Sequence, residues 1–202
     1  MEPGWILTKN SIIKKVVGLF AGLSEDYRAI LEPATSAQIP AAPAAMAAVA
    51  GSSLGSPKIS KGENYQGLPY VMLDYPRLFG REDVLAIRTF FWWGHSFSVT
   101  VHLKGTYRER YLPVLQQRWA ELAAAGFHVG ISEDEWRHEH VPETYRPIVS
   151  AEDFAGLPEG SGSPFSGLGF LKLSAACGLG RWEEAHEVLL GLFRVLVDVL
   201  QP

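Results

Sequence analysis

The sequence predicts an α+β fold: an antiparallel sheet with an aromatic-rich central hairpin, packed against N-terminal, middle and C-terminal helices. Three observations carry that expectation. Two alternating segments, one ending Arg88-Thr89-Phe90-Phe91-Trp92-Trp93-Gly94 and one returning from Ser96 to Leu103, read as a β-hairpin. Apolar residues at helical spacing flank it on both sides. Strands and helices also lack the strict alternation of a parallel βαβ fold.

The elements follow in order. Ile12, Ile13, Val16, Phe20, Leu23, Tyr27, Ile30 and Leu31 form one helical stripe. Asn10 or Ser11 is its expected N-cap, and Ser24-Glu25-Asp26 is an expected restart, ended by Pro33. From Ala34 to Ser56 the chain is dominated by Ala, Pro, Ser and Gly and carries no charge. It reads as a mobile linker, with a short Ala-rich helix over Ala44 to Ala50 as the competing reading. The chain thus divides into an N-terminal helical segment (1–33), a linker (34–57) and an α+β core (58–202) on which the helix packs.

Within the core, Tyr70 to Asp74 is a short strand, and Asp83 to Trp93 with Ser96 to Leu103 forms the hairpin. A helix starts at Thr106 and stops at Gly126. Phe127, Val129 and Ile131 alternate as a strand, residues 132–166 are irregular, and Phe170 to Ala175 is the last strand. Gly178-Leu179-Gly180 then turns into a C-terminal helix, Arg181 to Leu200, which is apolar almost all round. Such a helix needs cover on more than one side. Either it lies between the sheet and the N-terminal helix, or it forms the seam of a homodimer.

An apolar content of 47% with 20% charged residues suits a chain that buries a real core. A net charge of −4 argues against general nucleic-acid binding, which needs a basic surface. Lys9, Lys14 and Lys15 before Val16 to Leu23 superficially resemble a secretory leader. The apolar run is short, however, and Ser24-Glu25-Asp26 stands where a cleavage site belongs. No stretch approaches the roughly 18 uninterrupted apolar residues of a membrane span. The single cysteine, Cys177, has no partner for a disulfide within the chain. These features point to a cytoplasmic protein without nucleic-acid or membrane partners.

The hairpin supplies the candidate site. With Gly94-His95 as a two-residue turn, Trp93 opposes Ser96 and Trp92 opposes Phe97. Trp92, Phe90, Arg88 and Ala86 then share the core face with Phe97, Val99, Val101 and Leu103. Trp93, Phe91, Thr89 and Ile87 share the other face with Ser96, Ser98, Thr100 and His102, a mixture of rings and hydroxyls that a small-ligand pocket uses. A three-residue turn would reverse these faces. In the first register Arg88 lies on the apolar face and needs an anionic partner, for which Asp74 and Glu63 are the candidates. It serves either in a structural ion pair or, with Lys58 and Lys61, in binding an acidic ligand group. The candidate ligand-binding set is therefore Arg88, Trp93, Phe91, His102, Lys58, Lys61, Glu63, Tyr65 and Asp74.

Other constellations are weaker. His138 and His140 flank Glu139, near Glu133, Asp134 and Glu135, but in an irregular segment the two rings have no reason to converge on a metal. Gly160-Ser161-Gly162-Ser163 and Gly167-Leu168-Gly169 lack the lysine of a phosphate loop. Glu183 and Glu184 stand where an anion would sit after Gly178-Leu179-Gly180. No metal or other cofactor is expected, and no catalytic residue is assigned.

The run Lys58 to Tyr70, with Leu73-Asp74-Tyr75-Pro76 and Ile87 to Gly94, resembles a family of bacterial proteins to which no activity is attached. The resemblance covers about a quarter of the chain and implies a family but no catalytic residues. The favoured expectation is a non-catalytic protein that uses the 58–105 segment to bind a small anionic or aromatic ligand, or a protein partner. The alternatives are a hydrolase or transferase with Arg88, His102, Glu63 and Asp74 at its site, and an oligomeric structural protein.

Overall fold

Ile13, Val16, Phe20, Leu23, Tyr27 and Leu31 recur at three- and four-residue spacing and form the buried stripe of one helix, α1 (Pro3–Leu31). The computed structural model describes residues 3–31, 54–154 and 169–201. Asn10 and Ser11 lie inside α1 instead of capping it, and no restart occurs at Ser24. The Ser24 hydroxyl donates back to the Ala21 carbonyl at 2.7 Å, which satisfies it inside a continuing helix. Most of the Ala/Pro-rich segment, and the glycine-rich stretches at 160–163 and 167–168, lie outside the described residues. Its last residues are described: Leu54 is buried, and its carbonyl accepts from the Arg77 amide at 3.2 Å.

Among the described residues, seven strands form one antiparallel sheet. They are β1 (Lys58–Tyr65), β2 (Leu68–Phe79), β3 (Val84–Trp92), β4 (Ser96–Lys104), β5 (His128–Gly130), β6 (Tyr145–Pro147) and β7 (Phe170–Gly178). Their spatial order is β1-β2-β3-β4-β7-β5-β6, which puts the predicted hairpin near the middle. The fold is α+β, as the patterning predicts.

The Lys58 to Tyr65 run is itself a strand, joined to β2 by a two-residue turn at Gln66-Gly67. Both turn residues have positive φ, 51° and 82°, and the Asn64 side chain accepts from the Gly67 amide at 3.1 Å. Gly62 admits the Tyr70 ring: a Cβ there would meet that ring at 2.5 Å. Neither strand is strongly alternating, which is why sequence patterning reaches only Tyr70 to Asp74.

The hairpin does not turn on Gly94-His95 alone, the two-residue turn that the sequence predicts. Trp92 pairs with Ser96, Phe91 with Phe97 and Arg88 with Thr100, so the loop has three residues, Trp93 to His95. Gly94 has φ 72°, and the His95 amide closes the turn on the Trp92 carbonyl at 3.1 Å. The one-residue slip reverses every side chain of β3 relative to β4. Phe91, Thr89 and Ile87 join Phe97, Val99, Val101 and Leu103 in the core. Trp92, Phe90, Arg88 and Ala86 join Ser96, Ser98, Thr100 and His102 on the opposite face. Arg88 therefore does not lie on the apolar face.

The apolar face carries the helices α1, α2 (Thr106–Gln117), α3 (Trp119–Ala124) and α4 (Ala185–Val199). The single helix expected from Thr106 to Gly126 breaks at Arg118, whose guanidinium binds Glu121 and Asp198, both at 2.6 Å. A six-residue 3₁₀ segment, Leu179–Glu184, precedes α4. Ala185, Leu189, Leu190, Phe193, Leu196, Val197 and Val199 of α4 are buried within the chain, where the helix packs on α1, α3, β4 and β7. Tyr27 of α1 stacks on Phe193 at 3.6 Å, and its hydroxyl bonds Thr89 Oγ1 at 2.9 Å.

Candidate functional site

The two faces of the β3–β4 hairpin build two different environments. On the face away from the helices, polar residues gather on the middle strands: Asp74 of β2, Arg88 of β3, Ser98, Thr100 and His102 of β4, and Lys172 and Ser174 of β7. Cross-strand pairing sets Asp74, Arg88, Thr100 and Ser174 side by side, with His102 beside Lys172 in the next row. The loop between β5 and β6 lies over this face. The Ile131 amide donates to the Thr144 carbonyl at 2.8 Å and ties the ends of that strap together.

Arg88 grips Asp74 with both arms of its fork, Nε to Oδ1 at 2.7 Å and Nη2 to Oδ2 at 3.0 Å. Its remaining Nη1 donates to His138 Nε2 of the strap at 2.7 Å. His138 accepts that bond as a neutral imidazole with its proton on Nδ1. Burial, then the positive charge of Arg88 and Lys172, hold its pKa down at about 2. The His138 amide donates to the Tyr65 hydroxyl at 2.6 Å, and that hydroxyl donates in turn to the Glu139 carboxylate. Arg137 Nε closes on the other Glu139 oxygen at 2.5 Å. Burial and the bond to Glu139 push Tyr65 up to about 12. Burial opposes ionisation of Glu139, but the bonds from Tyr65 and Arg137 outweigh it and lower its pKa.

Lys172, 3% exposed, donates to the strap carbonyls of Glu135, at 3.0 Å, and Arg137. Burial and the nearby Arg88 charge lower its pKa to about 7. Lys104 Nζ binds Glu135 Oε1 at 3.0 Å. His102 Nε2 lies 3.1 Å from Glu135 Oε2, yet off the line of a hydrogen bond, so neither buried atom has an aligned partner. Burial first, then the Lys172 charge, lowers the His102 pKa to about 4. Phe79, Ala86, Arg88, Thr100, His102, His138 and Lys172 enclose a cavity with room for about one water molecule. Among the described residues, no group of three His, Cys, Asp or Glu side chains is placed to hold a metal ion.

The other environment lies at the hairpin tip on the helix side. Trp93, displaced from the polar face by the three-residue turn, meets Trp5 of α1 edge to face at 5.8 Å. With Phe91, Ile12, Leu179 and Trp182 these rings line an open groove of about 470 Å³, bordered by Thr8, Lys15 and Gly94. Trp5 is 56% exposed, and Ile6 and Leu7 beside it are also open to solvent.

The structure thus divides the candidate set. Arg88, Asp74, His102 and Tyr65 come together under the strap, while Trp93 and Phe91 face the groove. Lys58, Lys61 and Glu63 are exposed on the edge strand β1, and Glu63 binds Lys9 of α1 at 2.6 Å. Arg88 is therefore partnered by Asp74, and Glu63 does not converge with it. Patterning misses Lys172 under the strap, and Trp5 and Lys15 in the groove; it meets Glu135 and His138 only as members of a weak metal constellation, not as partners of the sheet. The signal for Lys172 is present: Leu171-Lys172-Leu173-Ser174 alternates, so a polar residue on a central strand marks a second buried face. His138 comes from an irregular loop, where no periodicity points to it. No helix among the described residues is long and apolar enough to cross a membrane. Comparison with known proteins adds no relative: no family model, no curated protein and no solved structure matches the chain.

Proposed function

We propose that the protein is a non-catalytic binding protein whose ligand site is the groove between the hairpin tip and α1. The observation that carries this reading is the groove itself: about 470 Å³, walled by Trp5, Phe91, Trp93 and Trp182, with Lys15 the one charged side chain among the described residues that line it. That volume falls in the roughly 300–1,000 Å³ range of small-molecule sites, which are mostly apolar with a few polar groups at the edge. Rings supply contact area with little conformational entropy to lose, and Lys15 is exposed at the rim to meet an anionic group. The ligand class is therefore a small molecule with a flat apolar body and one acidic substituent. The hydrolase or transferase reading is less favoured. Arg88 and His102 lie closed beneath the strap, and Glu63, which it requires, is on the exposed edge strand.

The test uses 8-anilinonaphthalene-1-sulfonate, a flat aromatic anion, titrated into the folded protein and followed by its fluorescence. Saturable binding is expected, weakened at least about tenfold by Trp93→Ser and to a smaller degree by Lys15→Glu. Equal binding by the wild type and both variants would remove the groove as the ligand site.

A further inference from the structure

Beneath the strap, three nitrogen-bearing side chains project from neighbouring positions of two paired strands: His102 and Lys104 of β4, and Lys172 of β7, which pairs with His102. The strap delivers a single carboxylate, Glu135, to this row. Oε1 is bound by Lys104 at 3.0 Å, but Oε2, 3.1 Å from His102 Nε2, misses the alignment of a hydrogen bond. Lys172 binds the strap only through main-chain carbonyls, one of them that of Glu135 itself. A carboxylate tethered to the chain is thus seated against the row and only half satisfied by it, next to a small cavity that His102 and Lys172 line. Arg88 is not part of this row, because Asp74 and His138 take up its fork.

We propose that Lys104, His102 and Lys172 form a binding site for the carboxylate of a small organic acid, and that Glu135 occupies it in the closed state as a built-in competitor. A free carboxylate is not bound by the strap's geometry. It can align one oxygen with Lys104 and the other with His102 Nε2, and it can accept from Lys172 once the strap carbonyls withdraw. Charge-assisted bonds of this kind are short and directional, so the misalignment at Oε2 is what a free ligand gains over the tethered one. Entry of the acid and release of strap residues 131–144 are then one event, a competition between two carboxylates for the same donors.

Succinate is a suitable probe, with sodium chloride at equal ionic strength as control. It lacks the ring system of the groove ligand, so its result leaves the groove reading standing or falling by itself. Calorimetric titration should show succinate binding to Glu135→Gln at least about tenfold more tightly than to the wild type, because the competitor has lost its charge. Lys172→Met in the Glu135→Gln background should abolish that gain. In the wild type, which needs no variant to fold, saturating succinate should speed amide hydrogen exchange across 131–144 while β4 and β7 keep their protection. Equal affinity for the wild type and Glu135→Gln, no binding to either, or unchanged strap exchange under saturation would each overturn the proposal.

Discussion

Trp92 and Trp93 are neighbours in sequence and belong to different worlds. Trp92 is 9% exposed, donates its indole N–H to the Tyr65 carbonyl at 3.2 Å, and closes one end of the polar chamber under the strap. Trp93 turns to the helix side and walls an open groove. The chamber is dense with directional bonds and has little free volume; the groove has volume and few bonds. Polar side chains placed between a sheet and a covering loop must be satisfied, which fixes them to one another. Rings at a solvent-facing edge carry no such demand and stay available to a partner. In this molecule the residues with the most recognisable chemistry are therefore mostly engaged with one another, and the open surface at the hairpin tip is made of ordinary aromatic side chains.

The sharpest way to break that comparison is Arg88→Met. It strands the Asp74 carboxylate, 6% exposed, and removes the donor to His138. Removing one partner of a buried pair costs about 3–5 kcal/mol, read from the denaturant midpoint at unchanged slope. Replacing both, as Arg88→Met with Asp74→Leu, should recover part of the loss. If Arg88→Met alone leaves stability unchanged, the chamber is not a structural network. The paired tryptophans come next. Trp92→Ala should destabilise by about 3 kcal/mol, whereas Trp93→Ala should cost about 1 kcal/mol and chiefly weaken binding of the fluorescent probe. Equal effects of the two on stability would dissolve the distinction between the faces.

Acid should open the chamber and leave the groove rings in place. His102 and His138 have folded pKa values of about 4 and about 2, below the ordinary imidazole value of 6.5. The unfolded chain therefore binds more protons than the native one over that interval. The histidine contribution is full above about pH 6.5 and is lost as pH drops towards those folded values, by about 1–2 kcal/mol per histidine between about pH 7 and pH 5. Lys172, lowered from 10.5 to about 7, acts in the same direction at higher pH: stability should rise further between about pH 7 and pH 10. His102→Gln should flatten the acid limb in urea unfolding measured against pH. An acid limb as steep as that of the wild type would show that His102 is not held neutral.

Much of this architecture is legible in the sequence, and the limits have physical causes. The alternation of Phe97, Val99, Val101 and Leu103 marks the inner face of β4 without ambiguity. β3 does not alternate: Val84, Leu85, Ala86, Ile87, Phe90, Phe91 and Trp92 are apolar on both faces, so either register buries a credible set. Arg88 is the one discriminating residue. Placing it with Thr100 and His102, not against Val99 and Val101, requires the three-residue turn, because a cation on an apolar face has no compensation. The Arg88–Asp74 pair was within reach of sequence reasoning for the same reason. The strap was not, since His138, Glu139 and Glu135 reach the sheet from a loop whose path depends on long-range pairing of β5 with β6 and β7. The groove was hidden differently: Trp5, Trp93 and Trp182 come from three distant segments, and no local pattern joins them.

The smallest expected effect tests how the turn chooses its register. His95 stacks on Trp92 with ring centroids 3.6 Å apart and planes 10° from parallel, while its amide holds the turn through the Trp92 carbonyl. His95→Ala keeps the amide and removes the ring. Because the pair sits at an exposed turn, stacking should contribute only about 0.5 kcal/mol, the lower end for aromatic contacts. The denaturant midpoint should shift by that amount, and probe binding at Trp93 should be unchanged, because the hydrophobic pairing of Phe91 with Phe97 still sets the register. A loss of probe binding in His95→Ala would mean that the His95–Trp92 stack, not the core pairing, keeps the two tryptophans on opposite faces.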